Sequence, residues 1–424
     1  MSIPEYKYLT QDLAIKDAPL PDKVYLPLAQ HVGKPCNVLE VKPGDVVRVG
    51  QRLAVADGGL FAPLHSSVSG KVVAVQDYYH PVLSRTKAVV IQRDAAMAEE
   101  GFSAIDEKEV SSFTPQKLRE IIRDAGVVGM GGAAFPAHIK LSPPQPVDSF
   151  ILNGAECEPY LNSDNRLMIE NAREILQGVR VIVKILGVKN AYIAIEDNKP
   201  RAIREFRKKI GYGKSPALKV LETKYPQGAE KQLIYSVLRR RVPAGKLPFD
   251  VGVVVHNVAT AFAIFEAVYK RKPLYERIVT VTGEVLERPG NLRVRLGTPI
   301  KDLIAVCGPL RRPAKKIIMG GPMMGLAQPS DEVPVIKGTS GVVLLADDDV
   351  RARPEKVCLR CGKCVRNCPM GLRPALISIA ASQGKWGLAK EYGALNCVEC
   401  GLCAYNCPAN RNVVQWVRQV KRQN

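Results

Sequence analysis

Eight cysteines in the last quarter of the chain constrain it more than any other feature: Cys358-x-x-Cys361-x-x-Cys364-x-x-x-Cys368-Pro369, then Cys397-x-x-Cys400-x-x-Cys403-x-x-x-Cys407-Pro408. The whole chain has only three more. Two copies of this spacing match the run that holds a pair of [4Fe–4S] clusters, each taking three ligands from one run and the fourth from the other. On that pattern Cys358, Cys361, Cys364 and Cys407 hold one cluster, and Cys397, Cys400, Cys403 and Cys368 hold the second. Three thiolates at i, i+3 and i+6 can curl around one face of a cubane, and the fourth is sent across to the neighbouring cube by the Cys-Pro break. Structural zinc sites pair their ligands across a long spacer and explain neither the triple run nor the repeated Cys-Pro. Disulfides fit worse, because the pattern is local and no secretory signal precedes it.

The 424 residues suffice for three or four domains, and a hydrophobic fraction of 46% is that of a globular protein. The start, Met1-Ser-Ile-Pro-Glu-Tyr-Lys, has no charged and then apolar export signal, so the expected compartment is the reducing cytoplasm. The longest apolar stretch, 251–268, is interrupted by His256, Asn257 and Glu266 and falls short of the ~20 apolar residues that span a bilayer. Membrane association is therefore expected to be peripheral, with no transmembrane segment. A net charge of +20 admits nucleic acid, an anionic membrane surface or acidic protein partners. The basic residues are dispersed in short clusters at 207–209, 239–241 and 311–312, without a nucleic-acid module, so no nucleic-acid partner is expected.

From 24 to 91, short β-like runs alternate with glycine turns such as Pro43-Gly44-Asp45 and Ser69-Gly70-Lys71. This region looks like a barrel–sandwich hybrid of the biotinyl/lipoyl type. Carriers of that type modify a lysine on a hairpin, and no lysine lies between Lys42 and Lys71, so a structural or docking role without a swinging cofactor is expected. His31, His65 and His80 have no acidic or thiol partners nearby in sequence and read as surface or hydrogen-bonded histidines. Residues 94–112 are acidic and small and read as a linker. A helix is expected to start at Thr114-Pro115, with Thr114 as N-cap.

That helix runs into a glycine loop, 126–140. Within it Gly129-Met-Gly131-Gly132-Ala-Ala134 satisfies the G-x-G-x-x-A dinucleotide fingerprint, but after a helix rather than a strand, which removes the usual Rossmann context. What survives is exposed backbone N–H that can approach a phosphate or a flat ring, with Lys140 available for negative charge. Downstream, apolar runs at 150–152, 192–195 and 251–255 end in polar residues, and helical patterns at 170–186, 201–208, 229–240 and 259–269 lie between them. This alternation predicts an α/β domain with a largely parallel sheet, its ligand beyond the carboxyl ends of the strands. Glu196-Asp-Asn-Lys-Pro can equally be a turn.

Residues 126–140, Asn153-Gly-Ala-Glu156-Cys-Glu158-Pro-Tyr160, Tyr225-Pro-Gln-Gly228-Ala-Glu230-Lys-Gln-Leu233 and His256-Asn257-Val-Ala-Thr260 resemble the flavin core of the RnfC family of the Rnf electron-transport complex. They are more distantly similar to the NADH-oxidising flavoprotein subunit of respiratory complex I. The likeness covers nearly the whole chain. It implies a multidomain α/β architecture: a barrel–sandwich hybrid at 1–95, a Rossmann-like FMN/NADH domain at 113–272, a β-grasp domain at 273–350 and a helical ferredoxin-like dicluster domain at 354–424. It further implies that Gly129, Gly131, Gly132 and Lys140 hold FMN, that Asn153 and Glu156 line the isoalloxazine and ribityl side, that Tyr225, Gly228 and Glu230 form the opposite wall, that Asn257 closes the phosphate end, and that Glu158 is a further cofactor-binding residue. Ala155 and Ala229 replace acidic residues of the complex I pattern, and Met130 replaces a basic one, which bears on the NADH contacts. The Gly-Gly-x-His-Pro segment usual in the RnfC family is missing before Pro4-Glu5, so this member reads as shortened or divergent there. Cys157 reads as a buried small residue rather than a nucleophile.

Strands are expected at 278–282 and 291–294, with a short helix after Thr298-Pro299, as in the β-grasp module of both families; no chemistry is assigned to it. Gly320-Gly-Pro-Met-Met-Gly325 reads as a tight buried turn. Between the cysteine runs, 373–392 has helical periodicity, and a C-terminal helix at 412–421 is expected to pack on its own module. NADH gives up a two-electron hydride while each cluster accepts one electron, so a flavin must stand between them. The expected function is that of the NADH/NAD-facing subunit of a membrane-associated, ion-translocating ferredoxin:NAD oxidoreductase, an oxidoreductase with no catalytic protein residue. Its expected cofactors are FMN and two [4Fe–4S] clusters, with NAD(H) as substrate and the other members of the complex and ferredoxin as partners. A cobalamin reductase, a soluble carrier serving one reductase and a cluster-containing nucleic-acid protein are the alternatives.

Overall fold

The computed structural model describes residues 3–99, 101–211, 215–348, 350 and 354–423. Glu100 of the acidic stretch and Asp349 lie outside them. The N-terminal β region is two facing sheets. Strands Lys23–Pro27, Ser84–Arg93, Gly70–His80 and Val46–Val47 form the larger, and Val38–Leu39, Arg52–Val55 and Leu64–His65 the smaller. Alternation puts Val24, Leu26, Leu53, Leu64, Val72 and Ile91 into the space between. The same apolar core continues through Val279, Val281 and Leu292 of the β-grasp sheet, so the two modules share one interior.

Between residues 149 and 257 the sheet is wholly parallel. Strands Ser149–Gly154, Asn190–Glu196, Ala217–Leu221 and Val253–Asn257 stand in spatial order third, second, first, fourth. The strand Ala217–Leu221 has no counterpart among the sequence expectations: its residues are half-buried or exposed, so it lacks the apolar run that marks a central strand. The helix expected over 170–186 is Ala172–Leu186, and a further helix, Ser163–Glu170, precedes it across Asn171. The longer one buries Ile175, Leu176, Val179 and Ile182 at three- and four-residue spacing and stops at Gly187 in the left-handed region. It crosses the helix Val258–Tyr269 at Gly178, where an added Cβ would lie 1.9 Å from the carbonyl oxygen of Ala261.

The acidic stretch 94–112 is not wholly a linker. Its end, Glu107–Ser112, is a helix capped by Asp106, whose carboxylate accepts from Glu109 N at 2.8 Å. Glu107 accepts from the Tyr269 hydroxyl and Ser111 O from Lys184 Nζ, which docks the segment on the parallel-sheet domain. Next comes the helix Pro115–Asp124, capped by Thr114 as its sequence dictates.

The β-grasp module contributes Glu276–Thr282, Gly290–Arg295, Gly341–Leu345, Lys316–Met319 and Leu326–Ala327 to a six-stranded sheet, with helix Ile300–Val306 beside it. The sixth strand is Ile15–Asp17, parallel to Gly290–Arg295. Residues 3–17 thus run along the parallel-sheet and β-grasp modules although they precede the barrel in sequence.

The cysteine module shows its repeat in the backbone. Each triple run turns through a left-handed pair, Arg360-Gly362 in the first and Glu399-Gly401 in the second, into a one-turn helix, Lys363–Arg366 or Leu402–Tyr405. The spacer forms helices Pro374–Ser382 and Trp386–Glu391, and the C-terminal helix Val413–Arg422 buries Val417 and Val420 on them, while its first residue, Val413, packs against Cys403. Among the described residues no helix is long and apolar enough to cross a membrane.

Candidate functional site

Asn153 and Asn257 are register partners at the carboxyl ends of the first and fourth strands. Strand order reverses between these two, and the crevice beyond such a reversal is where open parallel sheets bind ligands. Asn257 also caps helix Val258–Tyr269, its Oδ1 accepting from Ala259 N at 2.7 Å, while its Nδ2 donates to Asp164 Oδ2 at 2.6 Å.

The glycine loop lies over this crevice. A bridge between Val128 and Pro136 and the bond Gly129 N to Phe135 O, 2.7 Å, close it. Met130 N donates to Thr260 Oγ1 at 2.9 Å, and a Cβ on Gly131 would lie 3.5 Å from Asn257 Cβ. Gly132, with φ +123°, faces open space. Lys140 ends the helix Ala137–Lys140 and is ion-paired with Glu230, so these two side chains tie the loop to the facing wall.

The crevice's side is laced across two loops. Asn153 Nδ2 donates to Gly228 O at 2.9 Å and Gly228 N to Cys157 Sγ at 3.3 Å. A Cβ on Gly228 would come within 2.3 Å of Ala155 O, so only glycine permits this approach. Burial pushes the Cys157 thiol up to about 12, the state of an inert structural cysteine. The Glu156 carboxylate accepts from Ser163 Oγ, Asp164 N and Asn165 N at 3.0–3.2 Å and serves as the cap of helix Ser163–Glu170. Burial, and then the Glu156 charge, raise the Asp164 carboxyl from its ordinary value.

Glu158 and Tyr225 lead away from the crevice. Tyr225 Oη lies 3.0 Å from Glu158 Oε1 and 2.7 Å from the carbonyl oxygen of Cys400. Glu158 Oε2 accepts from Met323 N at 3.2 Å, and burial raises its carboxyl. The glycine-rich turn that sequence left without chemistry is thereby wedged between the two halves of the site: a Cβ on Gly321 would strike Glu158, and one on Gly401 would lie 2.7 Å from Met323 O. Ile3, Tyr225, Cys400 and Leu402 form one buried apolar cluster with Cys157, Met323 and Val398 against it. Lys7, almost fully buried, donates to Glu158 O and Leu161 O. None of Lys7, Gly321 or Met323 carried a recognisable motif; the one available signal was the Gly-rich spacing at 320–325.

Cys368, Cys397, Cys400 and Cys403 line a single apolar cavity with Leu372, Ile377, Val414 and Val417. Burial raises Cys397, Cys400 and Cys403, the latter two to about 11 and about 12, and the charges of neighbouring cysteines, Cys368 included, add to each rise. Bound iron reverses this, since a coordinating thiol is deprotonated outright. In the first run Cys364 feels Cys358, and Lys356 N donates to Ala409 O at 2.9 Å, which brings the start of that run beside the segment following Cys407. Among the described residues no three His, Cys, Asp or Glu side chains converge on a single metal ion. A cubane binds each thiolate through a different iron, so its ligands ring a volume rather than a point. Cys361, by contrast with Cys400, is exposed, as are Val357 and Leu359.

The glycine crevice suits a planar, polar ligand: the buried atoms Gln227 Oε1, Asn165 Oδ1 and Arg277 Nη1 are without hydrogen-bond partners on the elements that line it. Around the cysteines, an apolar cavity walled by four thiols suits a cubane.

Four family descriptions match the chain: the RnfC barrel sandwich hybrid domain at residues 1–96, the Nuo51 FMN-binding domain at 122–266, the SLBB domain at 278–327 and a 4Fe-4S dicluster domain at 357–411. The chain is 47% identical over 422 residues to the C subunit of the proton-translocating ferredoxin:NAD(+) oxidoreductase complex of Clostridium ljungdahlii, covering 99% of this chain and 92% of that one. It is 40% identical to the C subunit of the Na(+)-translocating ferredoxin:NAD(+) oxidoreductase complex of Acetobacterium woodii, with 99% and 95% covered. It is also 40% identical to the C subunit of the ion-translocating oxidoreductase complex of Rhodobacter capsulatus, with 97% and 79% covered. In fold it is similar to a chain of an NAD+-reducing [NiFe]-hydrogenase, with a TM-score of 0.51 at 17% identity over 74% of this chain and 62% of that one.

Proposed function

The chain belongs to the RnfC family, the C subunits of ion-translocating ferredoxin:NAD(+) oxidoreductase complexes, and we propose that it is the NADH/NAD-facing electron-transfer subunit of such a complex. Matches at this identity and coverage favour this role over that of a cobalamin reductase or a soluble carrier. FMN held in the crevice would supply the interconversion of a two-electron hydride and single electrons that one-electron [4Fe–4S] clusters require.

The protein's own residues hold and orient. On this reading Gly129, Gly131 and Gly132 leave backbone N–H free toward the flavin, Asn153 and Gly228 form one wall, and Asn257 closes the end at the strand reversal. Glu156 serves that wall by fixing helix Ser163–Glu170, and Lys140 and Glu230 serve it by pairing with each other. Glu158 and Tyr225 carry the wall to the cluster ligated by Cys397, Cys400, Cys403 and Cys368. The cluster ligated by Cys358, Cys361, Cys364 and Cys407 then lies on the far, more exposed side, where a partner protein of the complex takes or gives the electron. A peripheral position on the cytoplasmic face of the membrane, with ferredoxin as the distant redox partner, completes the reading.

One observation carries it: the Tyr225 hydroxyl on the crevice side and the Cys400 carbonyl on the cluster side are one hydrogen bond apart, 2.7 Å. The test is an anaerobic absorption spectrum with iron and flavin counts before and after NADH. About eight irons and one FMN, both bleached by NADH, are expected from two cubanes and one flavin. Iron without flavin, or flavin that NADH bleaches while the clusters stay oxidised, would sink it.

A further inference from the structure

We propose that Arg277 receives the phosphate group of bound FMN, reaching the glycine loop from the neighbouring β-grasp domain; the assignment rests on the flavin reading above. Lys140 and Lys337 adjoin the loop and are already occupied. Lys140 is paired with Glu230. Lys337, wholly buried, donates to Gly126 O at 2.7 Å and Pro63 O at 2.6 Å and so grips the loop from behind. Arg277 is 3% exposed, donates through Nε to Thr339 O at 3.1 Å, and has no partner for Nη1. A guanidinium does not shed its proton, so a buried one with an unused donor requires an anion.

Arg277 and the loop share neighbours on two sides. Thr339 follows Gly338, whose absent Cβ would lie 3.5 Å from Ala134 Cβ and 3.6 Å from Gly132 O. On its other side Arg277 feels the charge of Asp164, which accepts from Asn257 Nδ2, and Asn257 in turn abuts Gly131. From the glycine loop through Gly338-Thr339, Arg277, Asp164 and Asn257, these contacts return to the loop and form a closed ring. Asp164 is a poor sole counter-ion: its carboxyl is raised by burial and by Glu156, and one oxygen is taken by Asn257. The planar fork of Arg277 suits phosphate oxygens.

Riboflavin is FMN without the phosphate, so the two ligands separate recognition from folding. The full chain, with clusters reconstituted anaerobically and flavin removed, is titrated with each ligand while flavin fluorescence is followed, for the wild type, Arg277→Gln and Arg277→Lys. Arg277→Gln is expected to weaken FMN about 100-fold and riboflavin by less than about threefold, with Arg277→Lys losing about tenfold for FMN alone. Equal loss of both ligands, no loss of either, or a wild type that does not prefer FMN to riboflavin would overturn the assignment. A wild type that binds neither flavin sinks the flavin reading itself. Far-UV circular dichroism and the cluster absorption check folding; should Arg277→Gln not fold, the FMN-to-riboflavin ratio of Arg277→Lys decides.

Discussion

Tyr225 donates its hydroxyl across a domain seam to the carbonyl oxygen of Cys400, a residue in the second cysteine run, at 2.7 Å. The same hydroxyl oxygen stands 3.0 Å from Glu158 Oε1, so one phenol ties the crevice wall to the cluster loop. Tyr225→Phe keeps the ring's packing and deletes both contacts. A buried carbonyl left without its donor costs about 1–3 kcal/mol. Flavin bleaching by NADH should survive in the variant, while cluster reduction, followed by freeze-quench electron paramagnetic resonance, slows and the unfolding free energy falls by about 1–3 kcal/mol. Cluster reduction at the wild-type rate would show that the contact is dispensable.

The two clusters are not equivalent in position. Cys400 is buried against Tyr225 and Met323, and Gln232 Nε2 donates to Pro369 O beside Cys368, whereas Cys361 is exposed with Val357 and Leu359 around it. Cys400→Ser should therefore block NADH from reducing the remaining cluster, while Cys361→Ser should leave its remaining cluster reducible. An iron count of about four confirms that each variant has lost the cluster whose ligand was replaced, and stopped-flow absorption reads the reduction of the other. The reverse pattern would invert the order of the wire.

Much of this was legible in the chain because the cysteine spacing and the strand-end polar residues are local patterns. Cys358–Cys407 and Asn153 and Asn257 announce themselves by type and interval. Residues such as Arg277, Lys337 and Met323 do not: each acts through contacts between modules far apart in sequence, as when Lys337 donates to Pro63 O and Gly126 O. The acidic stretch misled for a related reason. Glu107–Ser112 has few apolar residues, and what holds it is the cap at Asp106 and docking on Tyr269 and Lys184. Glu156 sits where the motif puts it, yet its carboxylate faces a helix N-terminus that periodicity alone does not locate.

Glu158 offers a test by graded substitution. Its Oε2 accepts from Met323 N, and its Oε1 meets the Tyr225 hydroxyl. Glu158→Gln retains an acceptor for Met323 and gains a donor toward Tyr225, so unfolding in denaturant should shift by less than about 1 kcal/mol. Glu158→Ala strands Met323 N and frees the 320–325 turn from the seam, at about 1–3 kcal/mol. Equal effects of the two substitutions would mean that side-chain volume, not hydrogen bonding, is what the position supplies.

His65 makes the fold sensitive to acid. It is 4% exposed, on the strand Leu64–His65 where the barrel meets the glycine loop, and Nδ1 lacks a partner. Burial first, then the positive charges of Lys337 and Arg52, push its imidazole down to about 3. The unfolded chain binds this proton below about 6.5 and the folded chain does not, so stability is intact above that pH and falls as pH falls toward 3. The loss is about 1.4 kcal/mol per pH unit, or about 2 kcal/mol between neutrality and pH 5. His65→Asn removes the titration, so its denaturation midpoint should fall less than the wild type's between pH 7 and pH 5, by that amount. The difference between the two proteins cancels any acid lability of the clusters, which both share. Parallel losses in the two would show that His65 is protonated in the folded chain, and that the barrel–loop junction admits charge after all.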